Sequence, residues 1–83
     1  MSDQTVDVEE LRTLVADVVD VVVESLTDDA RFIEDLQVDS LIALELAVTL
    51  QRRYLVQIAE KDIVGIQTFP DVHRLLAEKT ARR

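Results

Sequence analysis

Few residues of this chain could do chemistry at all. There is no cysteine and a single histidine, His73, so a thiolate metal site, a disulfide or a histidine-rich ligand set is not available. One glycine rules out a glycine-rich phosphate loop, and neither a His-Glu-x-x-His pattern nor a nucleophile elbow is present. The acids Asp28-Asp29 and Glu34-Asp35 lack the alternating spacing and central glycine of a calcium loop and read as solvated loop residues. What remains is Asp39-Ser40-Leu41. A serine beside an aspartate at the start of a helix holds its hydroxyl towards solvent, at the positive end of the helix dipole, where free N–H groups favour an anion such as a phosphodiester. Asp and Ser are also the ordinary helix caps, so the tripeptide alone admits a plain cap as readily as an attachment point.

The elements that must position Ser40 follow from periodicity. A first helix is predicted from about Val8 to Ser25, with Asp7 as N-cap and Glu10 in capping-box spacing. Leu11, Leu14, Val15, Val18 and Val22 recur at three and four residues on one face. The β-branched run from Val18 to Val23 conflicts with that helix, since such residues favour strands. Residues 26–38 read as a long ordered loop pinned by Phe32, Ile33 and Leu36. The second helix is predicted from Asp39–Ser40 to near Tyr54, with Leu41, Leu44, Val48 and Leu55 on one side, joined by Ala47 and Tyr54. Ile42, Leu46 and Leu50 cannot share that narrow stripe, so part of this apolar surplus is either an exposed docking surface or is covered by a neighbouring helix. A short helix at Glu60 to Val64 should end at Gly65 in a left-handed turn. The last helix begins at Thr68, with Thr68 and Asp71 in capping spacing and Pro70 tolerated in the first turn; His73 reads as a surface or boundary residue.

The predicted fold class is therefore all-α, a small four-helix bundle with three main helices, one short one and a long loop between the first two. The 83 residues make one domain with frayed ends at about 1–6 and 80–83. A chain of this size buries roughly 60% of its unfolded surface, so the core is modest. The net charge is −8, with twelve acids and two bases in residues 1–39 against five acids and seven bases in residues 40–83. That balance argues against nucleic acid and anionic membranes and for partners with basic patches, although acidity alone also fits a merely soluble surface. No apolar run spans a bilayer and Met1-Ser2-Asp3-Gln4-Thr5 lacks a signal pattern, so the cytoplasm is the expected compartment and a monomer the expected state. Met1 and the short tail lead us to expect a stand-alone chain.

The context of Ser40 resembles the acyl carrier protein family. The family pattern Asp-Leu-Gly-x-Asp-Ser-Leu reads here Asp35-Leu36-Gln37-Val38-Asp39-Ser40-Leu41. Glu45-Leu46 matches the acid in the family's second helix, Tyr54 its closing aromatic, Val56 and Ile58 its apolar exit and Asp62 the acid of its short helix. Thr68-Phe69-Pro70-Asp71 matches the entry to its last helix and Phe32 an apolar loop anchor; the register is ungapped from Phe32 to about Leu76. Three departures stand out: Gln37 replaces the family glycine, Ala59 a frequent proline, and Gln51-Arg52-Arg53 a run of acids. Either Arg52 and Arg53 dilute the acidic docking face, or they pair internally with Glu45 or Glu60.

The resemblance implies a non-catalytic carrier. Ser40 would receive 4′-phosphopantetheine from coenzyme A through a phosphopantetheinyl transferase and hold acyl intermediates as thioesters, in polyketide or fatty-acid biosynthesis. Asp39 and Glu45 would steer a basic patch of a ketosynthase or acyltransferase while Leu41, Ile42 and Val48 supply apolar contact, an attraction that salt should screen. Leu41, Leu44, Val48, Ile63 and Ile66 would line an acyl cleft or, equally, close a core. Gln37 and the arginines lean towards a dedicated polyketide or other specialised pathway. The alternatives are a peptidyl or aminoacyl carrier, which usually shows Gly-Gly before its serine, and a helical adaptor without cofactor in which Ser40 only caps.

Overall fold

A computed structural model describes residues 6–81 of the chain. Among these residues four α-helices follow one another: α1 (Val8–Val19), α2 (Ser40–Tyr54), α3 (Glu60–Val64) and α4 (Phe69–Ala81), with one 3-10 turn at Val23–Ser25. The first helix packs on α2 and α4, and α3 packs on α2. Apart from one isolated bridge between Arg31 and Thr68, no β-pairing occurs among the described residues. The all-helical bundle with one short helix and a long first loop is the predicted architecture.

The caps explain where the helices begin. Asp7 accepts the N–H groups of Glu9 and Glu10 at 3.0 and 3.4 Å, which supplies two orphan donors of the first turn. Glu10 does not complete the box; it pairs with Arg53 across the bundle at 2.9 Å. The Asp71 carboxylate accepts from Gln67 and Thr68 N–H at the entry to α4, at 2.9 and 3.2 Å, and Asp62 does the same for Ala59 before α3 at 2.9 Å. Pro70 occupies the first turn of α4, where no helical donor is lost. Lys79 bonds Asp62 at 3.0 Å and ties α3 to α4.

The first helix is shorter than its periodicity predicts. It stops at Val19, because Asp20 turns left-handed (φ 63°) and Val21 N–H closes the end on the Ala16 carbonyl at 3.0 Å. The β-branched run wins there: Val22 is extended and exposed, outside the stripe assigned to it. Gly65 also departs from expectation, ending α3 in the right-handed region (φ −81°). Among the described residues the left-handed positions belong instead to Asp20, Gln37 and Leu55.

The core is Val6, Leu11, Val15, Ala16, Val19, Leu26, Phe32, Val38, Leu46, Leu50, Phe69, Val72 and Leu76. In α2 the core stripe is thus Leu46 and Leu50, with Ile42 half-buried beside them, the reverse of the side predicted from Leu41, Leu44 and Val48. Both sets have helical spacing; only the neighbours decide which faces inward. Val6 and Thr80, assigned to the frayed ends, are buried, and Thr80 Oγ donates to the Leu76 carbonyl at 2.9 Å. The rest of those ends, residues 1–5 and 82–83, lies outside the described residues.

The loop before α2 is fastened at several points. Arg12 lies 4.3 Å from the centre of the buried Phe69 ring and donates to the Leu26 carbonyl and to Asp28. Phe32 inserts its ring into the core, donates its N–H to the Gln67 carbonyl at 2.9 Å and accepts from Val38 N–H at 2.8 Å. Leu36 packs against the core, but Ile33 points outward, 72% exposed, and pins nothing. His73 is half-buried, with Nε2 3.4 Å from the Val6 carbonyl.

Two stability predictions follow from these contacts. Backbone donors hold the Asp71 carboxyl below its ordinary range, the Gln67 N–H foremost. A folded pKa below the unfolded one stabilises the fold above the unfolded value, near pH 4, and that contribution is lost as pH falls through the folded value. Urea unfolding at pH 7 and pH 3 should therefore show a smaller acid loss in Asp71→Asn than in the wild type. Burial pushes the Tyr54 phenol up, and its hydroxyl is buried with no hydrogen-bond partner among the described residues. Tyr54→Phe should raise unfolding free energy by about 0.5–1 kcal/mol, since an unpaired buried hydroxyl carries an uncompensated desolvation penalty; a loss of that size would show a partnered hydroxyl.

Candidate functional site

Ser40 is the first residue of α2, exposed, directly after the N-cap. Asp39 is extended and its carboxylate accepts from Ile42 N–H at 2.9 Å, while its carbonyl takes Ala43 N–H at 2.9 Å. The Asp39 side chain is thereby committed to the helix, and Ser40 Oγ has no hydrogen-bond partner among the described residues. The helix start depends on the turn before it. Gln37 holds φ at 58°, so the chain reverses into Val38 and Asp39 as a glycine there would allow. Gln37 thus holds a side chain in the left-handed region, at the strain that this carries.

Beside Ser40 lies an open groove of about 680 Å³ between α2 and α3, lined by Leu41, Ala43, Leu44, Ala47, Ile58 and Ile63 among others. It brings together Ser40 with three of the predicted lining residues, Leu41, Leu44 and Ile63. Val48 does not line it, and Ile66 opens on a separate recess with Arg31, Ile33 and Val64. Ala47 and Ile58 complete the wall; Ala47 sits one turn after Ala43 on the α2 side that faces α3, a placement that periodicity alone could not link to a groove.

Of the residues assigned to docking, Asp39, Leu41, Glu45 and Val48 are exposed on α2 or at its cap, whereas Ile42 is half-buried against the core. Leu41 and Leu44 are 64% and 59% exposed, which makes an apolar strip next to the serine. The internal pairing expected of the arginines goes elsewhere: Arg53 takes Glu10 of α1, and neither Glu45 nor Glu60 is paired with them. No helix among the described residues is long and apolar enough to cross a membrane, and no cluster of three or more His, Asp or Glu there could hold a metal.

The site is thus a free serine hydroxyl at a helix start in a helical bundle, with an apolar groove alongside. The family described as phosphopantetheine attachment site matches residues 9–76. The chain is 49% identical over 73 residues to polyketide-8 synthase acyl carrier protein 2 of Streptomyces avermitilis, covering 88% of this chain and 84% of the relative. It is 32% identical to the acyl carrier protein of Akkermansia muciniphila, covering 87% of this chain and 89% of that one. The acyl carrier protein of Chlamydia trachomatis serovar D is likewise 32% identical, with 86% and 92% covered. The chain belongs to the acyl carrier protein family, and its cofactor is phosphopantetheine.

The turn at Gln37 can be tested directly. Gln37→Gly removes a strained side chain from the left-handed region while adding freedom to the unfolded chain. The net expectation is a gain of about 0.5–1 kcal/mol in unfolding free energy, read by urea denaturation. Equal stability would mean that the two effects cancel, and a loss would contradict the strain.

Proposed function

We propose that the chain carries acyl intermediates of polyketide assembly as thioesters on an arm attached at Ser40, for partner enzymes in the cytoplasm. The observation that carries this is the exposed Ser40 hydroxyl at the first position of α2, beside the groove. The higher identity to a relative named as a polyketide synthase carrier than to those named simply as acyl carriers favours polyketide over fatty-acid assembly.

In the transferase's site Ser40 Oγ forms a bond to the phosphorus nearest the pantetheine of coenzyme A. The pyrophosphate link to 3′,5′-ADP breaks and the hydroxyl proton passes to a base of the transferase. The Asp39 carboxylate, held by Ile42 N–H, leaves that hydroxyl unencumbered. A phosphodiester carried at Ser40 would stand at the N-terminus of α2, which would favour its negative charge by about 0.3–1 kcal/mol. Leu41, Leu44 and Ile63 offer apolar surface to a cargo folded back on the protein. The arm itself supplies the thiol that this cysteine-free chain lacks. Outward from the serine, Leu41 and Val48 give apolar contact and Asp39 and Glu45 give negative charge to a docking enzyme.

Incubation with coenzyme A and a broad-specificity phosphopantetheinyl transferase should add the mass of one phosphopantetheine, as read by intact-mass spectrometry. Ser40→Ala should abolish the addition. A folded wild-type chain that stays unmodified, or a variant that is still modified, would overturn the assignment.

A further inference from the structure

Ile58 stands at the far end of the groove beside Ser40. Ser40, Ala43 and Ala47 recur at three and four residues along one side of α2, and Gln51 is the next residue of that series. The first three line the groove. Gln51 lines a second recess of about 440 Å³, together with Val56, Gln57, Ala59 and Lys79. Ile58 borders both. The two hollows therefore lie in succession along α2, the first reaching about 10 Å and the second about 16 Å from Ser40 by helical rise, with Ile58 between them.

Ile58 belongs to the irregular connection from Val56 to Ala59, and two polar struts hold that connection. From the α2 side, the Gln51 Oε1 atom accepts Ile58 N–H at 2.9 Å. From the α4 side, Lys79 Nζ meets Asp62 Oδ2 at 3.0 Å, and the same oxygen accepts Ala59 N–H at 2.9 Å. Both donors hold that carboxyl below its ordinary range, the Ala59 N–H foremost. Of the ion pairs among the described residues, this one alone has both side chains largely covered, at 30% and 19% exposed. Apolar packing adds less here, because α3 has no buried residue and Ile58 is half-buried at the edge of the core.

We propose that Gln51 and Lys79 set the length of acyl chain that the groove covers, by holding Ile58 as its end wall. Neither lines the groove, so both act as positioning residues. With the wall in place, an apolar chain that enters beside Ser40 is covered as far as Ala47 and Ile58, and carbons beyond that point stand in water. With a strut removed, Ile58 yields, the recess behind it joins the groove and a longer chain is covered further. The inference rests on the carrier reading above and deepens it, since it assigns the cargo a size class: apolar acyl groups no longer than the groove.

The test loads the chain with a hexanoyl or a tetradecanoyl arm, from the corresponding acyl-coenzyme A and a broad-specificity phosphopantetheinyl transferase, and confirms the loading by intact mass. Loss of each thioester to hydroxylamine is then followed, and the ratio of the two rates is the readout. In the wild type the ratio should stay near one, because carbons past Ile58 gain no cover. Gln51→Met and Lys79→Met keep the side-chain length and remove one strut each. In both, the tetradecanoyl ester should be lost about threefold more slowly relative to the hexanoyl ester, since each methylene newly taken from water is worth up to about fourfold. Gln51→Glu and Lys79→Arg, which keep the acceptor and the charge, should hold the wild-type ratio. Ile58→Ala, which leaves both struts and shortens the wall, should shift the ratio as the strut variants do. In ¹⁵N spectra the tetradecanoyl load should move the Gln57 and Lys79 amides in the strut variants and not in the wild type. A wild-type ratio already at the value of the variants, a ratio unmoved by Ile58→Ala, or one lost in the conservative pair overturns the proposal. Where removal of a strut unfolds the chain, Ile58→Ala decides alone. A chain that takes no arm fails the carrier reading, whereas a loaded chain whose ratio ignores these variants fails this inference alone.

Discussion

Phe32 joins everything that bears on the serine. Its ring is buried in the core, its N–H is held by the Gln67 carbonyl and its own carbonyl holds Val38 N–H. One residue therefore couples the entry of α4 to the last loop residues before α2. Arg12, Leu26, Leu36 and Val38 also fasten the loop from Leu26 to Asp39, and the Phe32 bonds add to what offsets its conformational entropy. Asp39 then sets the helix start to the residue, and Ser40 is delivered at its first position.

The parts of this arrangement that are local were legible in the sequence. Asp7, Asp39 and Asp71 mark helix starts because a short carboxylate at that spacing is the cheapest acceptor for orphan N–H groups. The bounds of α2 and α3 and the place of Ser40 follow from such signals. The parts that depend on neighbours were not legible. An α2 apolar on nearly every side offers two stripes of equal period, and only the packing of α1 puts Leu46 and Leu50 inside and Leu41 and Leu44 outside. Ile33 has the hydrophobicity of a core residue but sits one position from the inserted Phe32, on the opposite side of the turn. Backbone handedness was equally hidden, since Gly65 is free to turn left and does not, while Gln37 and Leu55 do.

Electrostatics adds little to the fold and much to its surface. Arg31–Glu34, Arg53–Glu10 and Arg12–Asp28 are all pairs with at least one well-exposed side chain, a class worth about 0–1 kcal/mol each. Their effect is to settle which charges remain available. Arg53 is neutralised against α1, so the far end of α2 presents one arginine and not two. Arg12 spends its charge on the loop and on Phe69, leaving the acids of α1 and its following loop to dominate that side of the molecule.

The anchoring of Phe32 by Gln67 also has a consequence in time. A chain made from its N-terminus exposes Ser40 well before residue 67 exists, and the bridge from Arg31 to Thr68 spans nearly half the sequence. A chain that ends before residue 67 has the serine but lacks this anchor of the loop before it.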